Sequence, residues 1–346
     1  MGAVGAGCGT IGSNVNARYL PRAMLSGTML VLYLIGLAVA VAILVKSADL
    51  FTDAAVEVAR RLRIPELIVG ATIVSLATTL PEFAVSFTSA VRGQVDFAVG
   101  NAVGSTICNV GMILGICAML SPMGIERKGF LSSGLGLIML GAIFSVLGYA
   151  FPEGSRWMGV VMMACLVAYL AYTVRSALQG RTEPADPATP NMSGLRVGVL
   201  FALGAAGIVG GGTLMVECGA RIARLMGVPE LIIGLTFLAI GTSTPEFVVS
   251  ISGIIKKQRA LSIGNIIGAN ILNLAWIIGS CSLVTNLPVR QQTRVLDIPV
   301  MLLLSLLLVV FGLTGQRLSR REGAILFAIY VAYLAVMFTV FRGAAA

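Results

Sequence analysis

Apolar residues run almost unbroken along this chain, in long stretches interrupted by short clusters of charge, Pro and Gly. Reading the stretches against their breaks predicts ten helical spans, near residues 27–48, 65–91, 95–120, 129–151, 157–178, 195–219, 228–255, 260–285, 296–315 and 322–342. Each is close to or above the roughly 20 residues that a helix needs to cross a hydrocarbon core. The Glu57–Arg63 stretch predicts helix continuing beyond the lipid. Residues 179–194, rich in Pro, Asp, Thr and Asn, read as a linker. Residues 1–26, rich in Gly, Asn and Ala, lack the charged start and compact apolar run of a secretory signal. They read as a disordered tail or an overextended start of the reading frame.

The pattern repeats. Sliding the chain by 164 residues lays 65–115 on 229–279 without a gap, with 20 of 51 positions identical. Shared Leu and Ile follow from membrane composition. The pairs Pro65/Pro229, Glu66/Glu230, Gly70/Gly234, Thr78/Thr242, Pro81/Pro245, Glu82/Glu246, Gly100/Gly264, Asn101/Asn265, Gly104/Gly268 and Asn109/Asn273 do not. An odd number of spans per copy makes the second enter the membrane from the opposite side, as in many secondary transporters. The expected fold is thus an all-α integral membrane protein of ten transmembrane helices in two inverted five-helix repeats. The first repeat covers 27–178 and the second 195–346.

Composition agrees with lipid as the main partner. Of 346 residues, 57% are hydrophobic and 11% charged, against about 25% charged in a soluble domain. The net charge of +9 is scattered through short connections, so no nucleic-acid partner is expected. With the amino terminus outside, the inner loops hold 14 Lys and Arg and the outer segments 9, so the positive-inside rule places both termini outside. The chain has no histidine, which removes zinc–histidine and Ser/His enzymes. Its six cysteines form no CxxC pair and read as small buried hydrophobes.

The candidate chemistry sits in the repeat. Ala77-Thr78-Thr79-Leu80-Pro81-Glu82 and Gly241-Thr242-Ser243-Thr244-Pro245-Glu246 each lie well inside an apolar span. A charged carboxylate at the bilayer centre costs roughly 2.5 kcal/mol or more, so Glu82 and Glu246 must face protein, water or a cation. Pro81 and Pro245 free carbonyls around Ala77 and Gly241, where Thr78, Thr79, Thr242 and Ser243 add hydroxyl oxygens. Gly104 and Gly268 open the second motifs and let backbones approach, and Asn109 and Asn273 close them with amide oxygens. An all-oxygen set with two carboxylates suits calcium or sodium rather than zinc or copper. Glu66 and Glu230, just after Pro, read as first-turn residues; Asp49, Asp53 and Glu217 read as structural.

These motifs resemble the calcium/cation antiporter superfamily, specifically its prokaryotic sodium/calcium exchanger type, whose repeats carry G-T-S-x-P-E and G-N-x-x-G-S-N-I-x-N/D. The resemblance implies Glu82 and Glu246 as central ligands, with Thr78, Thr79, Thr242, Ser243, Ser105, Asn109 and Asn273 adding oxygens. It implies bound calcium and sodium as cargo, no cofactor, no obligatory protein partner, and helices 1 and 6 sliding to alternate access in an inner cell membrane. Asn273 stands where some exchangers have Asp, Ala269 replaces a Ser and Thr106 an Asn, which bears on stoichiometry and ion choice. The alternatives are a proton/calcium or other divalent-cation antiporter, a potassium-dependent exchanger and, from another class, a passive cation channel. An enzyme is not expected.

Overall fold

The computed structural model describes residues 22–179, 192–226 and 239–340. Most of the expected tail, linker residues 180–191, and the start of the seventh span with Pro229, Glu230 and Gly234 lie outside the described residues.

With no water in lipid to satisfy backbone groups, a chain this apolar folds as helices. The described helices are α1 (Arg22–Leu62), α2 (Glu66–Thr78), α3 (Leu80–Val91), α4 (Val95–Leu120), α5 (Arg127–Ala150), α6 (Arg156–Gln179) and α7 (Gly194–Leu225). They continue with α8 (Ala239–Thr242), α9 (Thr244–Ile255), α10 (Arg259–Val284), α11 (Thr293–Gly315) and α12 (Arg320–Val340). Seven of them are long and apolar enough to cross a membrane, or eight spans if the bent pair α2–α3 counts as one. One antiparallel pair, Met123–Gly124 with Arg317–Leu318, ties the end of α4 to the end of α11. α1 begins at Arg22, inside the segment read as tail, and runs 41 residues, past the lipid-length span expected for it.

Burial sorts the helices. In the most apolar window of α4 and of α10, 72% and 83% of the residues are buried, against 11% and 22% for α1 and α7. α4 and α10 therefore form the centre and α1 and α7 the periphery. The centre carries a core of large side chains from α4, α5, α6, α10, α11 and α12, including Phe130, Phe144, Leu137 and Ile271. α1 and α7 lie against each other along their length. Small residues make this possible: Gly204 faces Phe51, Gly207 faces Ser47 and Gly211 faces Leu44. Phe51 and Phe201 close the interface with ring centroids 4.5 Å apart. The other face of α1, with Val31, Leu32, Ile35 and Val39, is about half exposed and meets lipid.

α2 and α10 also approach closely, here backbone to backbone. Gly264 lies against the Leu67 carbonyl, and Gly268 against Ala71 and the Ser75 hydroxyl. Gly104 faces open space among the described residues, and the segment that the repeat places opposite it lies outside them.

Candidate functional site

Pro81 and Pro245 set the local geometry. A proline has no N–H for the carbonyl four residues back, so Ala77 and Gly241 lose their helical partners. The first copy breaks at Thr79, where α2 and α3 meet at a 48° bend. The second breaks at Ser243, between α8 and α9. Each acid then falls in a first helical turn, Glu82 in α3 and Glu246 in α9, where free N–H groups favour negative charge.

All nine oxygen-bearing residues singled out in the sequence are buried. Glu82, Glu246, Thr79, Asn109 and Asn273 are fully enclosed, and Thr78, Thr242, Ser243 and Ser105 nearly so. The two carboxyl groups lie against one another across the repeat boundary. Thr79 donates to Glu246 Oε1 at 3.3 Å, and Ser243 stands beside Glu82 in the equivalent place. Asn109 and Asn273 each open a π-helical turn, Asn109–Leu114 and Asn273–Ile277, a local distortion that recurs at functional sites.

Both Glu82 oxygens, Glu246 Oε2, Ser105 Oγ, Ser243 Oγ, Asn109 Oδ1 and both polar atoms of Asn273 have no hydrogen-bond partner. Buried polar atoms are nearly always paired. Unpartnered oxygens on two carboxylates, and on segments that pack against the helices bearing them, are what a hard cation would ligate. The ion pairs of the described residues involve neither Glu82 nor Glu246. Among the described residues no group of three or more His, Cys, Asp or Glu could hold a metal ion, so a cation bound here would draw on neutral oxygens as well.

Three asparagines belong to this network that the sequence reading gave no role. Thr78 donates to Asn265 Oδ1 at 3.1 Å, and Thr242 to Asn101 Oδ1 at 3.2 Å, two equivalent bonds that cross between the copies. Asn101 in turn donates to Ser86 at 2.9 Å. Asn109 donates to Asn270 Oδ1 at 2.9 Å, and Asn270 to the Thr106 carbonyl at 3.2 Å. The identity of Asn101 and Asn265 in the repeat was the signal for two of them. Glu66 lies in the first turn of α2, as expected, while Glu230 is outside the described residues.

Paired buried acids beside two broken helices in a helical membrane protein fit a secondary transporter of cations. The chain belongs to the sodium/calcium exchanger protein family, whose model matches residues 32–175 and 197–339. It is 32% identical over 333 residues to the sodium/calcium exchanger MaX1 of Methanosarcina acetivorans, covering 85% of this chain and 95% of that one. It is 34% identical over 316 residues to the inner membrane protein YrbG of Escherichia coli, covering 87% and 95%. Its structure is similar to that of the sodium-calcium exchanger NCX_Mj soaked with 10 mM Na+ and 10 mM Sr2+, with TM-score 0.79, 27% identity, and 88% and 98% of the two chains covered. The chain is a membrane transporter, not an enzyme.

Proposed function

We propose that this chain exchanges sodium for calcium at one site formed by Glu82 and Glu246, with Thr78, Thr79, Thr242, Ser243, Ser105, Asn109 and Asn273 as neutral ligands. The single observation that carries the reading is the set of unpartnered buried oxygens on the two carboxyl groups and on the segments packed against their helices. Two negative charges balance one calcium or are shared among sodium ions, so the two cargoes compete for the same oxygens. Competition of this kind couples their movement. The names of MaX1 and NCX_Mj support the choice of ions.

The architecture proposed with it is ten spans in two inverted five-helix units, 27–178 and 195–346, joined by 179–194, with no obligatory protein partner. Support comes from the repeat, from the matched breaks at Thr79 and Ser243, and from the charge balance that puts both termini outside. The E. coli relative named as an inner membrane protein supports the same location here. α1 and α7, joined to each other by small residues, are the elements that would slide over the centre.

Binding tests the reading. Radiocalcium held by the purified protein should be displaced by sodium chloride and not by equal choline chloride. Displacement by acid alone, with sodium inert, would move the chain to proton-coupled exchange.

A further inference from the structure

The 164-residue offset that lays Glu82 on Glu246 also relates four charged residues outside the site. Asp53 falls on Glu217 and Arg92 on Lys256, so the sign of charge is kept at both positions although the residues differ. Only one of the two possible pairs is made. Lys256 Nζ lies 2.7 Å from Asp53 Oδ1 and 3.7 Å from Asp49 Oδ1, and donates to the Asp49 carbonyl at 2.8 Å. Ser252 adds a bond to Asp49 at 3.0 Å, and Thr52 one to Ser252 at 3.3 Å. α1 is thereby fastened to the end of α9.

The counterpart is open. Glu217 on α7 pairs instead with Arg221 of its own helix at 2.8 Å. Arg92, after α3, is exposed and makes no ion pair among the described residues. Local backbone is not the cause, because Arg92 (φ −81°, ψ 3°) and Lys256 (φ −81°, ψ 4°) cap their helices in the same conformation.

The helix faces differ in the same sense. On α9, Thr244 and Ser252 are 3% and 5% exposed and Val248 is half-buried, packed against the core cluster to which Leu44, Ala48 and Phe51 of α1 belong. The equivalent residues of α3 are Leu80, Ala84 and Thr88, and all three are exposed, Leu80 at 48%. One copy of the interface is shut and its twin is not.

We propose that these are two alternative latches, one for each access state of the transporter. Lys256 with Asp53 and Asp49 holds the passage between α1 and α9 closed in the conformation seen. Arg92 with Glu217 closes the passage between α7 and α3 when the first opens. In the orientation proposed above, the closed passage is cytoplasmic and the open one external. The inference rests on the alternating-access reading. Exchanging one exposed ion pair for a like one keeps the two states close in free energy, which a carrier needs in order to cycle.

The test uses two equivalent reporters, Ala84→Cys and Val248→Cys, in the full-length chain in oriented vesicles. A membrane-impermeant maleimide is applied from each face, with the chain lacking a reporter as background. In Lys256→Gln, labelling at residue 84 should slow and at residue 248 quicken, shifting their ratio by about 1.5- to 5-fold, the span an exposed pair supports. Arg92→Gln should shift the ratio the opposite way. The charge-swapped Asp53→Lys/Lys256→Asp double variant should return it towards the parent value. Shifts in the same direction, no shift, or a swap that fails to restore a shifted ratio would overturn the proposal. Labelling needs no transported ion, so the two readings fail separately. Sodium-driven calcium uptake with unmoved labelling removes only the latches, and opposite labelling shifts without calcium flux remove only the ion assignment.

Discussion

Thr78 and Asn265 stand 187 residues apart in the chain, on different copies of the repeat, and share a buried hydrogen bond of 3.1 Å. Thr242 and Asn101 repeat the bond at 3.2 Å. The asparagine oxygen accepts in both, so each threonine beside a carboxylate is tied to an asparagine of the other copy.

Replacing Asn265 by Leu removes the bond that holds Thr78 to the second copy. Apparent calcium affinity should fall by up to about tenfold, the worth of one oriented hydrogen bond. Asn101→Leu should act alike through Thr242. Calcium-dependent uptake rates give both values, and unchanged affinity in both variants would show that the asparagines do not orient these ligands.

Gly264 and Gly268 hold α10 against α2, with the Leu67 and Ala71 backbone where a Cβ would stand. Gly264→Ala should therefore cost about 1–3 kcal/mol, read as a lowered melting temperature in detergent. Gly124→Ala, with open space around it among the described residues, is the control and should be neutral.

Gly93 and Lys257 occupy equivalent turns, both left-handed, at φ 79° and 62°. Lysine is strained there and glycine is not. Lys257→Gly should stabilise the protein by about 1 kcal/mol, and Gly93→Ala should destabilise it by a similar amount. Thermal melting of the two variants measures both, with opposite signs expected.

Asn273 is fully buried with neither polar atom partnered. Asn273→Asp adds a third carboxylate, and calcium should then bind tighter by roughly tenfold or more, since charge count tunes calcium sites. Sodium, with half the charge, should gain less. Competition binding on the variant and parent compares the two gains.

Much of this was legible in the sequence because duplication marks what composition hides. Pro, Glu and Asn at one fixed offset pointed to freed carbonyls around Ala77 and Gly241 and to the acids beside them; the breaks themselves fall two residues on, at Thr79 and Ser243. The cross-copy bonds were not legible: identity of Asn101 with Asn265 says that each matters, not that each reaches the other copy's threonine. Nor were the π-helical turns at Asn109 and Asn273, because no Pro or Gly marks their start. Asp49 and Asp53 read as structural span-end charges; that they meet Lys256 depends on how α1 lies along α9, which hydropathy does not encode.

The most direct measurement is initial calcium uptake into sodium-loaded proteoliposomes, for the parent and for Glu82→Gln and Glu246→Gln. The amide keeps the shape and removes a buried charge, so both variants should fold. Uptake should follow the outward sodium gradient in the parent and fall by at least about 100-fold in each variant, as loss of a charged buried ligand implies. Sustained uptake by either folded variant, or parent uptake indifferent to the sodium gradient, would contradict a shared carboxylate site for the two ions.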